Sequence, residues 1–489
     1  MSKNYDVVIV GCGVAGLYAA LNLNPKARVL LLCKQDLTLS NSSLAQGGVA
    51  AVIDTTHDST DAHFNDTLIA GGFKNNPEAV HILVEQGPKE VKRIMEYGVD
   101  FDHSEDNSIH FTLEGGHSKP RILHHKDSTG YEMVIKLLQA VKTLPNVDIM
   151  ENSLVCSIQK GVHFSLDILT GQTHTYVNAA FCILATGGIG RVYEYTTNSK
   201  IATGDGIVFA HKMGAKIKYL HYIQFHPTGF ANKKSRETFL ISESVRGEGA
   251  YLLNCHFERF MHKYDDRLEL APRDVVSRAI IEESKQTQSN DFYLDISYKD
   301  AQSIRTRFPM IYQNLLKEGI DMTTDKIPVF PCHHYLMGGI DVDLNSKTTI
   351  DKLYAVGECS HTGVHGNNRL ASNSLLEALV FSRRAAEDIN PQLMNQHITF
   401  ITPEFPQDKH TKQIPAGIRT EVRHIMQKAH FVIPNPEEAH KGFERILELK
   451  RQLEQGDYQV NCDYVEAYSL VIIAYLILKH YLGKSSSSS

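Results

Sequence analysis

Apolar residues along this chain fall into two kinds of run. The first is short, unbroken and rich in β-branched residues: Tyr5 to Val10, Arg28 to Cys33, Ala180 to Ala185 and Leu353 to Val356. Runs of this length without polar alternation predict strands buried on both faces, as in a parallel sheet. The second kind has helical spacing. Ala15 to Leu23 follows the first strand across a glycine-rich turn and predicts the helix of a βαβ unit that Arg28 to Cys33 completes. Beyond about residue 405, segments 415–430, 436–455 and 463–482 place apolar residues at helical intervals with charges between them, predicting a small helical bundle. Glycine-bearing strand ends occur both at the start of the chain and well past its middle. The stretch 221–334 between them therefore reads as a second unit inserted into the first. Ala467 to Leu478 is too short to span a bilayer, which takes ~20 residues, and predicts a buried helix. The serine run 485–489 is expected to be a disordered tail.

Composition narrows the classes. A chain of 489 residues has room for two or three domains, and 42% hydrophobic with 22% charged residues is ordinary for a soluble globular protein. The net charge of −6 offers no basic footprint for nucleic acid. MSKNYDVVIVG runs straight into a strand, with no signal-peptide pattern. The eight cysteines have no paired spacing, so a reduced, cytoplasmic setting is expected. Adjacent histidines in Cys332-His333-His334 point in different directions on most backbones and no second ligand cluster has suitable spacing, so no metal is expected.

Gly11-x-Gly13-x-x-Gly16 lies between strand and helix, the context in which this pattern carries meaning. Glycines allow the tight turn and let a pyrophosphate approach a helix N-terminus whose N–H groups are free. The second strand ends in Cys33-Lys34-Gln35, with no acid for a ribose, which weakens a simple NAD reading. Glu358, after a late apolar strand, is a candidate partner for a ribose or ribitol hydroxyl, and with Thr186-Gly187-Gly188 it favours a flavin.

Longer motifs make the resemblance specific. Ser43-Leu44-Ala45-Gln46-Gly47-Gly48-Val49-Ala50-Ala51, Thr203-Gly204-Asp205-Gly206, Gln224-Phe225-His226-Pro227-Thr228, Arg246-Gly247-Glu248-Gly249-Ala250, Ala271-Pro272-Arg273-Asp274, His334-Tyr335 with Gly338-Gly339, and Asn368-Arg369-Leu370-Ala371-Ser372-Asn373-Ser374-Leu375-Leu376-Glu377 occur in that order. Between residue 5 and about residue 390 the chain resembles the family containing L-aspartate oxidases and the flavoprotein subunits of succinate dehydrogenase and fumarate reductase. The resemblance implies an α/β fold. A Rossmann-like FAD-binding domain (1–220 and 335–405) would carry an inserted α+β capping domain (221–334) and a C-terminal helical bundle (406–484). It also implies FAD contacts from Gly11, Gly13, Gly16, Lys34, Ser43, Gln46, Gly47, Gly48, Asp205, Glu358, Ser374 and Leu375. Relatives with covalent FAD carry a histidine five residues before the glutamine of Ala-Gln-Gly-Gly. Here that position is Asn41, so FAD is expected to be non-covalent.

A dicarboxylate substrate needs cationic or donor-rich pockets, because an unpartnered buried carboxylate is prohibitive. By motif position, Arg369 is expected to clamp one carboxylate, with His226, Ser242 and His334 as further carboxylate donors. Arg273 occupies the place of the family's proton-transfer arginine. Glu114 stands where succinate and fumarate enzymes have an aromatic before a Gly-Gly pair, and a carboxylate there can bind a substrate ammonium for roughly 1.5–3 kcal/mol. That points to the amine-oxidising branch, with Arg273, His226 and Glu114 as catalytic residues. The implied reaction is oxidation of L-aspartate to iminoaspartate by hydride transfer to flavin N5, with O2 or fumarate as final acceptor. Iminoaspartate is unstable, which implies use by quinolinate synthase on the way to NAD. The group that takes the amine proton is left open. The alternatives are a soluble fumarate reductase or succinate dehydrogenase flavoprotein, and an inactive flavin-bound scaffold. The chain lacks the Arg-x-Glu-Ser-Arg-Gly stretch with which aspartate oxidases usually close the helical domain, so reduced stability or weaker FAD retention is expected.

Overall fold

The computed structural model describes residues 3–231, 235–394, 400 and 410–485. The strands Val147–Met150, Val29–Leu32, Lys3–Val10 and Thr173–Leu184 lie side by side in parallel, and Leu353–Ala355 pairs in parallel with the end of Thr173–Leu184. Phe164–Thr170 and Ser153–Lys160 extend the sheet antiparallel. Alternate residues face opposite ways, as a pleat requires. Val7, Ile9, Leu31, Phe181 and Ile183 pack under the helices Val14–Asn22, Thr129–Lys142 and Asn373–Met394. Val8, Val10, Leu30, Leu32 and Leu184 lie on the other face, in one apolar cluster with side chains of the helix Asp205–Lys212 and of the C-terminal helices. Burial on both faces is why these strands read as unbroken apolar runs.

The inserted stretch has an apolar cluster of its own, which includes Phe230, Ile241, Phe260, Ile280, Phe292 and Val329. It surrounds an antiparallel sheet in the order Ile223–Phe230, Ile327–Leu336, Phe292–Asp295, Tyr251–Leu253, with the helix Arg273–Thr287 packed against the first of these strands. The first two strands carry Gln224, His226 and His334.

Three C-terminal helices, Ile418–Ala429, Pro436–Gln455 and Cys462–Ser485, match the expected segments. The last is longer than the twelve-residue apolar run suggested. Its residues Cys462–Gly483 are long and apolar enough to cross a membrane, but 67% of the most apolar window is buried inside the protein. Its Leu470, Val471, Ile473, Ala474, Ile477 and Leu478 share the cluster on the sheet face, where each fully buried aliphatic chain larger than alanine contributes roughly 1.5–3 kcal/mol. Ser485 ends this helix, so the expected tail does not begin there; 486–489 and the 405/406 boundary lie outside the described residues.

Candidate active site

The strand ends and the inserted unit enclose one cavity. At its floor Gly11 has φ 118°, and a Cβ there would lie 2.1 Å from the Ala185 carbonyl oxygen; a Cβ on Gly16 would lie 1.9 Å from the Gly11 oxygen. Only glycine permits that turn and that closeness of helix to strand. Gly13 caps the Val14–Asn22 helix with no side-chain acceptor of its own, and the Val14 N–H donates to Ser42 Oγ at 3.2 Å. Gly11, Gly13, Lys34, Gln46, Gly47, Gly48, Asp205, Glu358, Ser374 and Leu375 all line this cavity. Gly16 and Ser43 do not. Gly16 serves packing, and the Ser43 hydroxyl is turned into its own loop, donating to the carbonyls of Thr38 (2.6 Å) and Ser40 (2.8 Å). Ser42, one residue earlier, lines the wall instead.

The cradle fits FAD on its own evidence. Gln46 Oε1 is buried without a partner, a vacancy that suits a ligand donor. The glycines leave room for a pyrophosphate at a helix N-terminus. Asn41 is on the wall, and its side chain favours the charged form of Glu358. Burial pushes the Glu358 carboxyl up to about 7, while the Leu336 N–H donating at 3.0 Å works against this. The FAD-free protein therefore loses stability as pH rises from the ordinary glutamate range through about 7, because the unfolded chain ionises first. Glu358→Gln removes that loss: the variant should melt higher than the parent at about pH 8, with the gap closing below about pH 5.

Lys34 takes a role the sequence did not indicate. Its Nζ donates at 2.9 Å to Thr203 Oγ1 and to Asp205 Oδ2, and sits 2.9 Å from Glu466 Oε1 on the last helix. Burial opposes its charge, but Asp205 and Glu466 outweigh that and hold its pKa up. Lys34 thus fastens a cavity-lining loop to the C-terminal helices. Lys34→Met leaves the buried Asp205 without a cation, while Glu466 keeps Arg419 at 2.8 Å, and should cost about 2–4 kcal/mol in unfolding experiments.

The other end of the cavity holds a cluster of buried charges. Arg369, 5% exposed, donates to the Leu370 carbonyl, Ser374 Oγ and His334 Nε2, all neutral, and its Nε has no partner. Burial, and then Arg273, lower its pKa to about 10. A guanidinium in that condition is a ready clamp for a carboxylate. His334 lines the cavity, but its Nε2 accepts from Arg369 while Nδ1 lies 2.7 Å from Thr197 Oγ1, so it orients the arginine rather than offering a donor of its own. His226 is fully buried behind it, ring centroids 5.0 Å apart. The Thr228 N–H donates to His226 Nδ1, which puts the proton on Nε2, and Nε2 has no partner. Burial and then Arg273 keep both rings neutral.

Arg273 is joined through Nε to Glu243, and its Nη1 donates to Gln224 Oε1 at 3.1 Å; Gln224 in turn donates to Asn368 and to the Arg369 carbonyl. Arg246, also fully buried, lies 3.5 Å from Glu243. Burial resists charge on Glu243, but Arg273 and Arg246 prevail and hold its carboxyl below the usual range. Glu243, Gln224 and Arg246 were not singled out from sequence, although all three lie in or beside quoted motifs. Glu114 behaves oppositely. Burial and then the Glu243 charge push its carboxyl up, against Ser372, Arg273 and Arg369. It accepts from Ser372 Oγ at 2.5 Å and from Ser244 Oγ at 3.3 Å, and Ser244 receives a hydrogen bond from Ser242 Oγ at 3.1 Å. Its loop is tied down by Asp66, which accepts from Ser118 and is held by Arg121. Glu114, Ser242, Arg273, His334 and Arg369 thus share one pocket wall, with His226 directly behind.

Comparisons with known proteins agree with this geometry. The FAD binding domain family matches residues 6–375. The chain is 48% identical over 402 residues to an L-aspartate oxidase of Clostridium perfringens, covering 81% of this chain and 89% of that one. It is 39% identical over 508 aligned positions to an L-aspartate oxidase of Acinetobacter baylyi, covering 99% and 92%. Among solved structures, a glutamate variant of E. coli quinol fumarate reductase FrdA superposes with a TM-score of 0.87 at 29% identity, covering 100% of this chain and 89% of that one. A quinol-fumarate reductase with menaquinol molecules gives 0.89 at 29% identity, covering 99% and 91%. With this cavity and these relatives, the chain belongs to the L-aspartate oxidase family of FAD-binding oxidoreductases.

Proposed function

We propose that this chain oxidises L-aspartate to iminoaspartate with non-covalently bound FAD. The observation that carries the reading is Glu114: a buried carboxyl placed among arginines suited to a dicarboxylate, where succinate offers it nothing and an amino acid offers an amine. FAD, when bound, supplies the two-electron acceptor for the hydride leaving Cα, and O2 or fumarate takes those electrons onward. The protein holds and charges the substrate. Arg369, oriented by His334, clamps one carboxylate; Arg273 faces the other, with the unpartnered His226 Nε2–H directly behind the pocket wall. Arg273, ion-paired with Glu243, is a guanidinium and no base. Glu114 is the base: its raised pKa suits it to take the ammonium proton, freeing the nitrogen lone pair that expels the hydride. Pairs of carboxyls whose surroundings push their pKa values apart divide acid and base roles, and Glu114 and Glu243 form such a pair. With fumarate in the pocket, Arg273 is the proton donor to carbon and regains a proton from solvent, while Glu243 stays the anion beside its guanidinium.

We place the reaction in the reducing cytoplasm, a reading supported by eight free cysteines. Its product passes to quinolinate synthase as the first step toward NAD. The test is product analysis. Iminoaspartate hydrolyses to oxaloacetate and ammonia, so aspartate turnover in air should yield these two in equal amounts with matching O2 uptake. Fumarate formed from succinate, with no ammonia from aspartate, would replace this reading with the dicarboxylate dehydrogenase one.

A further inference from the structure

The outer antiparallel strands carry a cluster that the oxidase chemistry does not use. Between Ser153–Lys160 and Phe164–Thr170 the pairing slips between Val155 and Ser157, so that Cys156 and Ser157 together oppose Asp167. Such an insertion bends a strand and re-aims its side chains. His174 pairs with Leu169 on the third strand, which puts it on the same face as Asp167. One ligand atom each from Cys156, Asp167 and His174 falls within 4.8 Å of the others, and His174 Nδ1 is already 2.8 Å from Asp167 Oδ1. The same face packs Cys156, Leu154 and Leu169 against Val465, in the first turn of the Cys462–Ser485 helix. Leu154 and Val155 line the cofactor cavity, and Glu466, next to Val465, holds Lys34.

We propose that Cys156, Asp167 and His174 form a divalent-cation site of the zinc class, which fixes the sheet edge under the first turn of the last helix. Sulfur and imidazole donors favour zinc over magnesium or calcium, which take oxygen ligands. Three protein ligands leave a fourth, tetrahedral position for water, and the side chains of Asp167 and His174 are 13% and 25% exposed, open enough to admit it. Binding replaces the Cys156 thiol proton with the metal and releases that proton to solvent. Affinity therefore falls as pH is lowered and protons compete for sulfur and imidazole.

The experiment is equilibrium dialysis of EDTA-treated, FAD-loaded enzyme against about 1 µM free zinc, with bound metal read by elemental analysis. The expected result is one zinc per chain in the parent and under a tenth of that in Cys156→Ser and in His174→Ala, with parental FAD content and far-UV circular dichroism in both. Zinc should also raise the parent's melting temperature and leave that of Cys156→Ser unchanged. No zinc in the parent, or equal zinc in parent and both variants, overturns the proposal. Should either variant misfold, proton release on adding zinc to the parent decides: about one proton per chain supports the site and none overturns it.

Discussion

Replacing Arg369 with leucine should lower kcat/KM for aspartate by about two to three orders of magnitude while leaving FAD bound. Truncating one partner of a buried charged pair costs 2–5 kcal/mol or more, and ~1.4 kcal/mol is a factor of ten. Without substrate, however, the guanidinium is a burden. It is buried with neutral acceptors only, Arg273 repels it, and its pKa is drawn down to about 10. Arg369→Leu should therefore leave the melting temperature of the substrate-free protein unchanged or raised, although His334 Nε2 loses its donor. Kinetic collapse without destabilisation is the signature of a residue kept for its ligand. Steady-state kinetics and thermal melts on one preparation check it, and a matching loss of stability would instead mark Arg369 as structural.

Glu114→Gln should reduce kcat/KM for aspartate about ten- to a hundredfold, the worth of one charge-assisted hydrogen bond. Gln keeps the size and can still bond Ser372 and Ser244, so the fold should tolerate it. Fumarate reduction with a dye donor needs no amine and should stay within about twofold, since the change also relieves Glu243 of a neighbouring charge. The pH profile gives an independent readout. A base must be ionised to act, and burial raises the Glu114 carboxyl, so parental activity should rise with pH along a limb displaced above the ordinary glutamate range. Glu114→Gln should lose that limb. Equal losses on aspartate and fumarate would place Glu114 in the scaffold.

The legible parts of the sequence were those fixed by local rules. Val7 to Val10 and Ile183 to Leu184 announce strands because both faces are buried, and Gly11 and Gly16 announce a cradle because no side chain fits between strand and helix. Pocket membership of Glu114, Arg273, His334 and Arg369 followed from their motifs. Orientation did not. Whether Ser42 or Ser43 faces the cavity depends on which hydroxyl the loop uses for itself, and whether His334 donates or accepts depends on the guanidinium beside it. Glu243 escaped notice because its importance comes from two arginines, 3 and 30 residues away in sequence, that meet it only in the fold. The Lys34–Glu466 pair spans almost the whole chain, and the alignment of Cys156 with Asp167 requires a register slip that no spacing rule reveals.

The most direct test of the central claim is anaerobic mixing of the FAD-loaded enzyme with L-aspartate or succinate while the flavin band near ~450 nm is followed. The account predicts bleaching by aspartate at a rate sufficient for turnover, with none by succinate at equal concentration. Bleaching by succinate and not by aspartate would contradict it, and would mean that Glu114 does not select the amine.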